Sequence, residues 1–188
     1  MAFVEIYDTT LRDGAQSEGI SFSLGDKIHI VEKLDELGVR YIEGGWPGSN
    51  PKDAAFFKRV QKVKLLNARI AVFGSTSRVG VKAEEDSNVT MMVESGASVA
   101  TIVAKASDLQ VKHVLNTTRE ENLSMIEDTK LPSKSQIKNS EPDKSLNDKD
   151  GVSLDLHLSL SYRSSGIWGT RRFLDEILGR FIGLFSKN

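Results

Sequence analysis

The sequence predicts an α/β fold of about four βα units followed by a divergent tail. Two observations carry this prediction. From Phe3 to about Thr129 one unit recurs, a short apolar run, a Gly/Ser/Asp-rich turn and then a helical pattern. The strand-like runs fall near residues 3–7, 39–43, 69–73 and 98–103, a spacing of roughly thirty residues that is typical of successive βα units. The runs themselves, VEIY, RYIE, RIAVF and VATIV, are rich in β-branched and aromatic residues, which suits parallel strands covered by helices on one face.

The elements follow in order. After the first strand, Ser23-Leu24-Gly25-Asp26 has the form of a capping box, and Leu24, Ile28, Val31, Leu34 and Leu37 keep a helical spacing until Gly38 ends the run. After the second strand, Asn50-Pro51-Lys52-Asp53 places a capping side chain, a first-turn proline and an early acid ahead of Ala54, Phe56, Phe57, Val60 and Val63, a second helix start. A third helix is predicted over Glu84 to Glu94, with Met91, Met92 and Val93 as core residues. The fourth strand is followed by another helical stretch that contains His113.

Residues 1–129 are therefore expected to form one domain. The segment 130–150, which includes LPSKSQIKNSEPDKSLNDKD, has only Leu131, Ile137 and Leu146 as apolar residues. It buries too little surface to offset ordering entropy, and a linker is predicted. Residues 151–188 form a tail in which GVSLDLHLSLSY alternates in strand fashion and RRFLDEILGRFIGLF places Phe173, Ile177, Phe181 and Phe185 on one helical face. Packing of this helix against the barrel, rather than contact with a membrane, is expected.

Composition excludes several functions. With 25 basic and 26 acidic residues and a formal net charge of -1, no electrostatic footprint for nucleic acid is present. There is no cysteine, so disulfides, thiolate metal sites and a cysteine nucleophile are excluded. The N-terminus has no signal-peptide pattern, and no apolar run approaches the ~20 residues of a bilayer span. A cytoplasmic protein is expected.

The functional residues are expected at the C-terminal edge of the strands, where parallel α/β sheets and barrels gather their sites. Asp8, Arg12, Asp13 and Gln16 follow the first strand, Glu43 and GGWPGSNP the second, GSTSR the third, and Lys105 and Asp108 the fourth. Such a ring of polar groups suits a divalent metal and an anionic substrate; a hard cation takes about six oxygen ligands. Asp8 has two readings, a site carboxylate or the cap of the tight turn through Thr9, Thr10 and Leu11. Gly44, Gly45 and Gly48 read as turn geometry rather than a nucleotide loop. Lys105 either faces the site or is a solvated strand end.

YDTTLRDGAQSEG, then KLDELGVRYIEGGWPGSNPKD, then VFGSTSR resemble the pyruvate-carboxyltransferase-type synthases, the group of isopropylmalate, homocitrate and citramalate synthases. The IEGGWPGSNPKD run is most similar to the citramalate branch, and the resemblance covers roughly residues 3–129, the N-terminal half of the family's catalytic domain. It implies a partial TIM (β/α)8 barrel, the 188 residues falling short of the ~250 of a complete one. It also implies a Claisen-type condensation of acetyl-CoA with pyruvate or another α-keto acid, assisted by a divalent metal (Mg, Mn or Zn). On that resemblance Asp13 is a metal ligand, Arg12 neutralises developing oxyanion charge, Gln16 lies close to substrate, and Glu43 lines the same mouth.

The family completes its metal site with a His-x-His motif from a later strand. This chain has His29 in the first helix, His113 after the fourth strand and His157 flanked by leucines with no second histidine two positions away. It also carries Ser77-Arg78 where the citramalate branch tends to have two arginines, and Ala104, Ser107 and Gln110 within AKASDLQV at the fourth strand. The expectation is thus a truncated synthase-like acyltransferase completed by a second half barrel or a homo-oligomer. The alternatives are a non-catalytic half barrel that binds a partner, or a fragment of an isopropylmalate or homocitrate synthase.

Overall fold

The structure is a computed structural model that describes residues 4–137. Four parallel strands, β1 (Tyr7–Asp8), β2 (Tyr41–Gly45), β3 (Arg69–Ser75) and β4 (Val99–Val103), lie in sequential order in one sheet. Helices α1 (Leu24–Glu36), α2 (Pro51–Val60), α3 (Ser87–Glu94), α4 (Asp108–His113) and α5 (Arg119–Ile137) alternate with them. Consecutive parallel strands with a helix in each crossover make the sheet wall of a partial TIM barrel.

The local signals account for the helix starts. The Ser23 side chain accepts from the Asp26 N–H while the Asp26 carboxylate accepts from the Ser23 N–H, the reciprocal capping box that the sequence predicts. Asn50 Oδ1 accepts from the Lys52 N–H at 3.0 Å, with Pro51 in the first turn of α2. The core lies between the sheet and these helices: Ile42, Val72 and Ile102 from alternate strand positions meet Val31, Phe56, Phe57 and Met92. Phe56 and Phe57 pack edge to face, 5.4 Å between centroids.

Three boundaries differ from the sequence prediction. The first strand pairs only at Tyr7 and Asp8; Val4 and Ile6, ahead of it, are 81% and 59% exposed, so β-forming residues alone did not set its length. The third helix begins at Ser87 rather than Glu84, because the Asp86 carboxylate accepts from the Asn88 and Val89 N–H groups and so fixes the N-cap there, after a single 3-10 turn at Ala83–Glu85. Of its predicted core residues Met92 is buried, while Met91 and Val93 are half-buried. Finally, α5 carries its backbone through Ile137, across the position where the linker was predicted to begin. Polar composition limits what a segment buries, not whether a helix already anchored by the buried Leu123, Ile126 and Thr129 continues its local hydrogen bonding. The remainder of the predicted linker and the 151–188 tail lie outside the described residues.

Candidate functional site

The turn after β1 is closed by its own side chains. The Asp8 carboxylate accepts from the Thr10 N–H and from Thr10 Oγ1, both at 3.0 Å, so of the two readings of Asp8 the turn cap is the one observed. The Thr9 carbonyl then accepts from the N–H groups of Arg12 and Asp13, which turns both side chains toward the C-terminal edge of the sheet. Leu11 is buried beneath them.

Arg12 is the hub. Its Nε donates to Glu43 Oε1, and its Nη1 and Nη2 donate to the two oxygens of Asp13, at 2.5 and 2.8 Å. Its guanidinium also stacks on the Phe73 ring of β3, 3.9 Å from the centroid. Glu43 is buried at 1% exposure, and its second oxygen accepts from the Tyr7 hydroxyl at 2.5 Å. That hydroxyl shares a further 2.5 Å hydrogen bond with Thr101 Oγ1 of β4. Burial, and then the bond to Glu43, raise the Tyr7 pKa above its ordinary value, so the phenol remains a neutral donor. Residues from β1, β2 and β4 thereby meet around one buried carboxylate, and Phe73 of β3 joins them through Arg12.

Beside this hub lies a cleft of about 430 Å3 between the loops that follow β1 and β2, lined by Arg12, Gln16, Lys27, Trp46, Lys52 and Phe73 among others. Gln16 stands in a 3-10 turn at Gly14–Gln16 and is exposed at its rim. The glycines of the β2–α2 loop make room for packing. A Cβ on Gly44 would fall 2.3 Å from Phe56, and Gly45, with φ of +137°, has the Asp53 carboxylate where its Cβ would stand. The β2–β3 register shifts between Glu43 and Gly45, which re-aims the loop at the cleft.

The structure thus gathers Arg12, Asp13 and Glu43 and sets Gln16 on the same cleft. It does not bring the loops after β3 and β4 to it. Arg78 is held by Asp86 at 2.9 Å, Asp108 pairs with Arg119, and the Lys105 carbonyl accepts from Asn122 at 2.9 Å. Sequence reasoning missed Tyr7, Lys27, Asp53, Trp46 and Phe73. Lys27 left a signal, a cation on the same helical face as Val31 and Leu34.

A divalent metal is the group the resemblance implies, and the described residues do not complete a site for it. Among them no group of three or more His, Cys, Asp or Glu side chains is placed to hold a metal ion. Asp13, 53% exposed, has both oxygens on Arg12. His29 faces Glu32 on the exposed side of α1, His113 is exposed at the end of α4, and His157 lies outside the described residues. Also among the described residues, no helix is long and apolar enough to cross a membrane.

The HMGL-like family profile matches residues 3–141, about three quarters of the chain. The chain belongs to the HMGL-like family. It is 53% identical over 129 residues to the (R)-citramalate synthase of Geobacter sulfurreducens, a match that covers 69% of this chain and 24% of that enzyme. Against the homocitrate synthase of Methanopyrus kandleri identity is 40% over 126 residues, covering 67% and 30%. The fold is similar to that of the HMG-CoA lyase of Bacillus subtilis, with a TM-score of 0.54, 20% identity, and coverage of 70% of this chain and 43% of that one. Within the family, then, this chain corresponds to the N-terminal portion of a citramalate-synthase-like protein, and it spans about a quarter of the length of that relative.

Proposed function

We propose that this chain provides the first half of the active site for the condensation of acetyl-CoA with pyruvate, the reaction of an acyl-transferring synthase in the cytoplasm. The observation that carries the reading is the placement of Arg12. Its guanidinium is oriented from beneath by Phe73 and from the side by the buried Glu43, at the strand edge of a cleft. In the proposed reaction the enolate carbon of the thioester attacks the keto carbonyl, and negative charge accumulates on the carbonyl oxygen. A guanidinium fixed in advance stabilises that charge with no reorganisation at the moment it forms. Glu43 holds Arg12 in place, Tyr7 and Thr101 hold Glu43, and Gln16 reaches the substrate from the rim. The higher identity with citramalate synthase than with homocitrate synthase supports pyruvate over a longer keto acid. Asp13 provides one carboxylate for the divalent metal, and the other ligands come from a second half barrel, supplied by a partner chain.

A second reading is supported by the incomplete metal-ligand set among the described residues: a half barrel that binds its partner without catalysis. One assay separates the two. The chain is mixed with the second half of the G. sulfurreducens synthase barrel, pyruvate, acetyl-CoA and Mg2+ or Mn2+, and free thiol and citramalate are followed. The condensing reading predicts product from the mixture and none from either half alone. A stable complex without product supports the silent half barrel and rejects the first reading.

A further inference from the structure

One ion pair beside the cleft has no role in the proposed reaction, and it is buried. Lys27 and Asp53 are each 6% exposed. Lys27 Nζ donates to Asp53 Oδ1 at 2.6 Å and to the Gly44 carbonyl at 3.1 Å, and it lies 5.4 Å from the Phe56 ring centroid. The other Asp53 oxygen accepts from the Trp46 N–H at 2.9 Å. Buried ion pairs add little net stability over apolar residues of the same shape, and their best-attested use is to select one arrangement among several. Here the arrangement selected is that of the loop. Asp53 occupies the space beside Gly45, where a Cβ would lie 2.4 Å from the Asp53 Cγ, and it grips the first residue beyond the strand.

We propose that Lys27 and Asp53 are positioning residues that clamp the 45–50 loop from α1 and α2 and so set the aromatic support of Arg12. The path is short. Trp46, fixed at its backbone by Asp53 and at its indole Nε1 by Asn88, stands edge-on to Phe73 with centroids 5.5 Å apart. Phe73 in turn carries the Arg12 guanidinium. Asn88 is itself tied to the β3 end through the carbonyl and the hydroxyl of Ser75, both at 3.1 Å. Trp46 is therefore held at its indole from the β3 side through Asn88 and at its backbone N–H by the ion pair, and release of the pair frees the backbone end. The reading of the Arg12 cleft as a substrate site gives this clamp its purpose.

The test uses the full chain carrying Trp168→Phe, which leaves Trp46 as the sole tryptophan. Acrylamide quenching and the near-ultraviolet circular dichroism of Trp46 are compared with Lys27→Met and Lys27→Arg added, well below the melting temperature. Lys27→Met is expected to raise the quenching constant about twofold and to weaken the near-ultraviolet band while far-ultraviolet signal is kept, a local loosening rather than unfolding. Lys27→Arg, which restores the charge, is expected to recover the parent values. A folded Lys27→Met protein with unchanged quenching overturns the proposal. Should that variant fail to fold, amide exchange in the parent chain decides: the Trp46 N–H is expected to be protected like the amides of β2, and exchange as fast as that of the exposed Gly48 overturns the clamp. Titration of the same protein with pyruvate in the assembled barrel reports separately on the substrate. Absence of pyruvate binding with a loosened Trp46 keeps the clamp and removes only the substrate assignment.

Discussion

Arg12 has every guanidinium nitrogen on a carboxylate, Nε on Glu43 and the two Nη atoms on Asp13. The two partners are not equivalent. Glu43 is sealed in at 1% side-chain exposure, whereas Asp13 is 53% exposed, so Glu43 fixes the arginine and Asp13 is free to exchange it for another partner. Removal of the sealed partner takes the Nε acceptor from the half-buried Arg12 and one of its hydrogen-bond partners from the Tyr7 hydroxyl. Glu43→Ala is expected to lower unfolding free energy by about 3 kcal/mol, and Tyr7→Phe, which deletes one neutral donor, by about 1 kcal/mol. Urea denaturation of the two variants checks the ranking; equal losses would mean that Glu43 is not the residue on which Arg12 depends. Arg12, Asp13 and Gln16 stand out in the sequence as candidates because they are contiguous with the first strand and belong to a long motif. Tyr7, Phe73 and Thr101 do not, since their meeting depends on the lateral order of four strands rather than on spacing along the chain.

At the scale of elements, two aspartates join segments that pack together. Asp35, near the end of α1, accepts from the N–H groups of Leu66, Asn67 and Ala68 ahead of β3. Burial pushes its carboxyl up, but the three donors outweigh that and hold it below the ordinary aspartate range. Asp86 is fully buried. There too burial raises the pKa, and Arg78 together with the N–H groups of Asn88 and Val89 brings it below the ordinary value. Both groups are more acidic folded than unfolded, so their stabilisation is present above the unfolded value of 3.8. It is lost as pH falls from there through the lower folded values. Stability is therefore expected to drop on acidification below pH ~4, and Asp86→Asn to flatten part of that acid limb. Loss of the cap in Asp86→Ala is expected to cost about 1–2 kcal/mol at neutral pH. Thermal melts from pH 7 down to 3 measure both; an acid limb identical in parent and Asp86→Asn would contradict the assignment. The caps of α1 and α2 were legible because each lies within four residues of the helix it starts. The α3 cap was not, since Glu84 and Glu85 extend an acidic first turn that fits a helix start equally well.

At the scale of the molecule, four parallel strands in sequential order leave β1 and β4 at the two edges of the described sheet, and Val4 and Ile6 present an apolar surface ahead of β1. Parallel edges and exposed apolar strand residues are what closure of a barrel removes. The fold class was legible because the thirty-residue rhythm repeats four times, and the family because its motifs are long. Completion of the site was not legible, since metal geometry depends on ligands from several strands, and Asp13, exposed and paired with Arg12, is the carboxylate that the resemblance assigns to the metal among the described residues. The proposed function makes this chain one half of a metal-assisted site, and Mn2+ binding is the measurement that tests that proposal. Titration of Mn2+ into the chain alone, followed by electron paramagnetic resonance, is expected to show no saturable site, and titration into the complex with the second half barrel one site per complex. Asp13→Asn is expected to abolish that site. A saturable Mn2+ site on the chain alone, or none in the assembled barrel, would contradict the account.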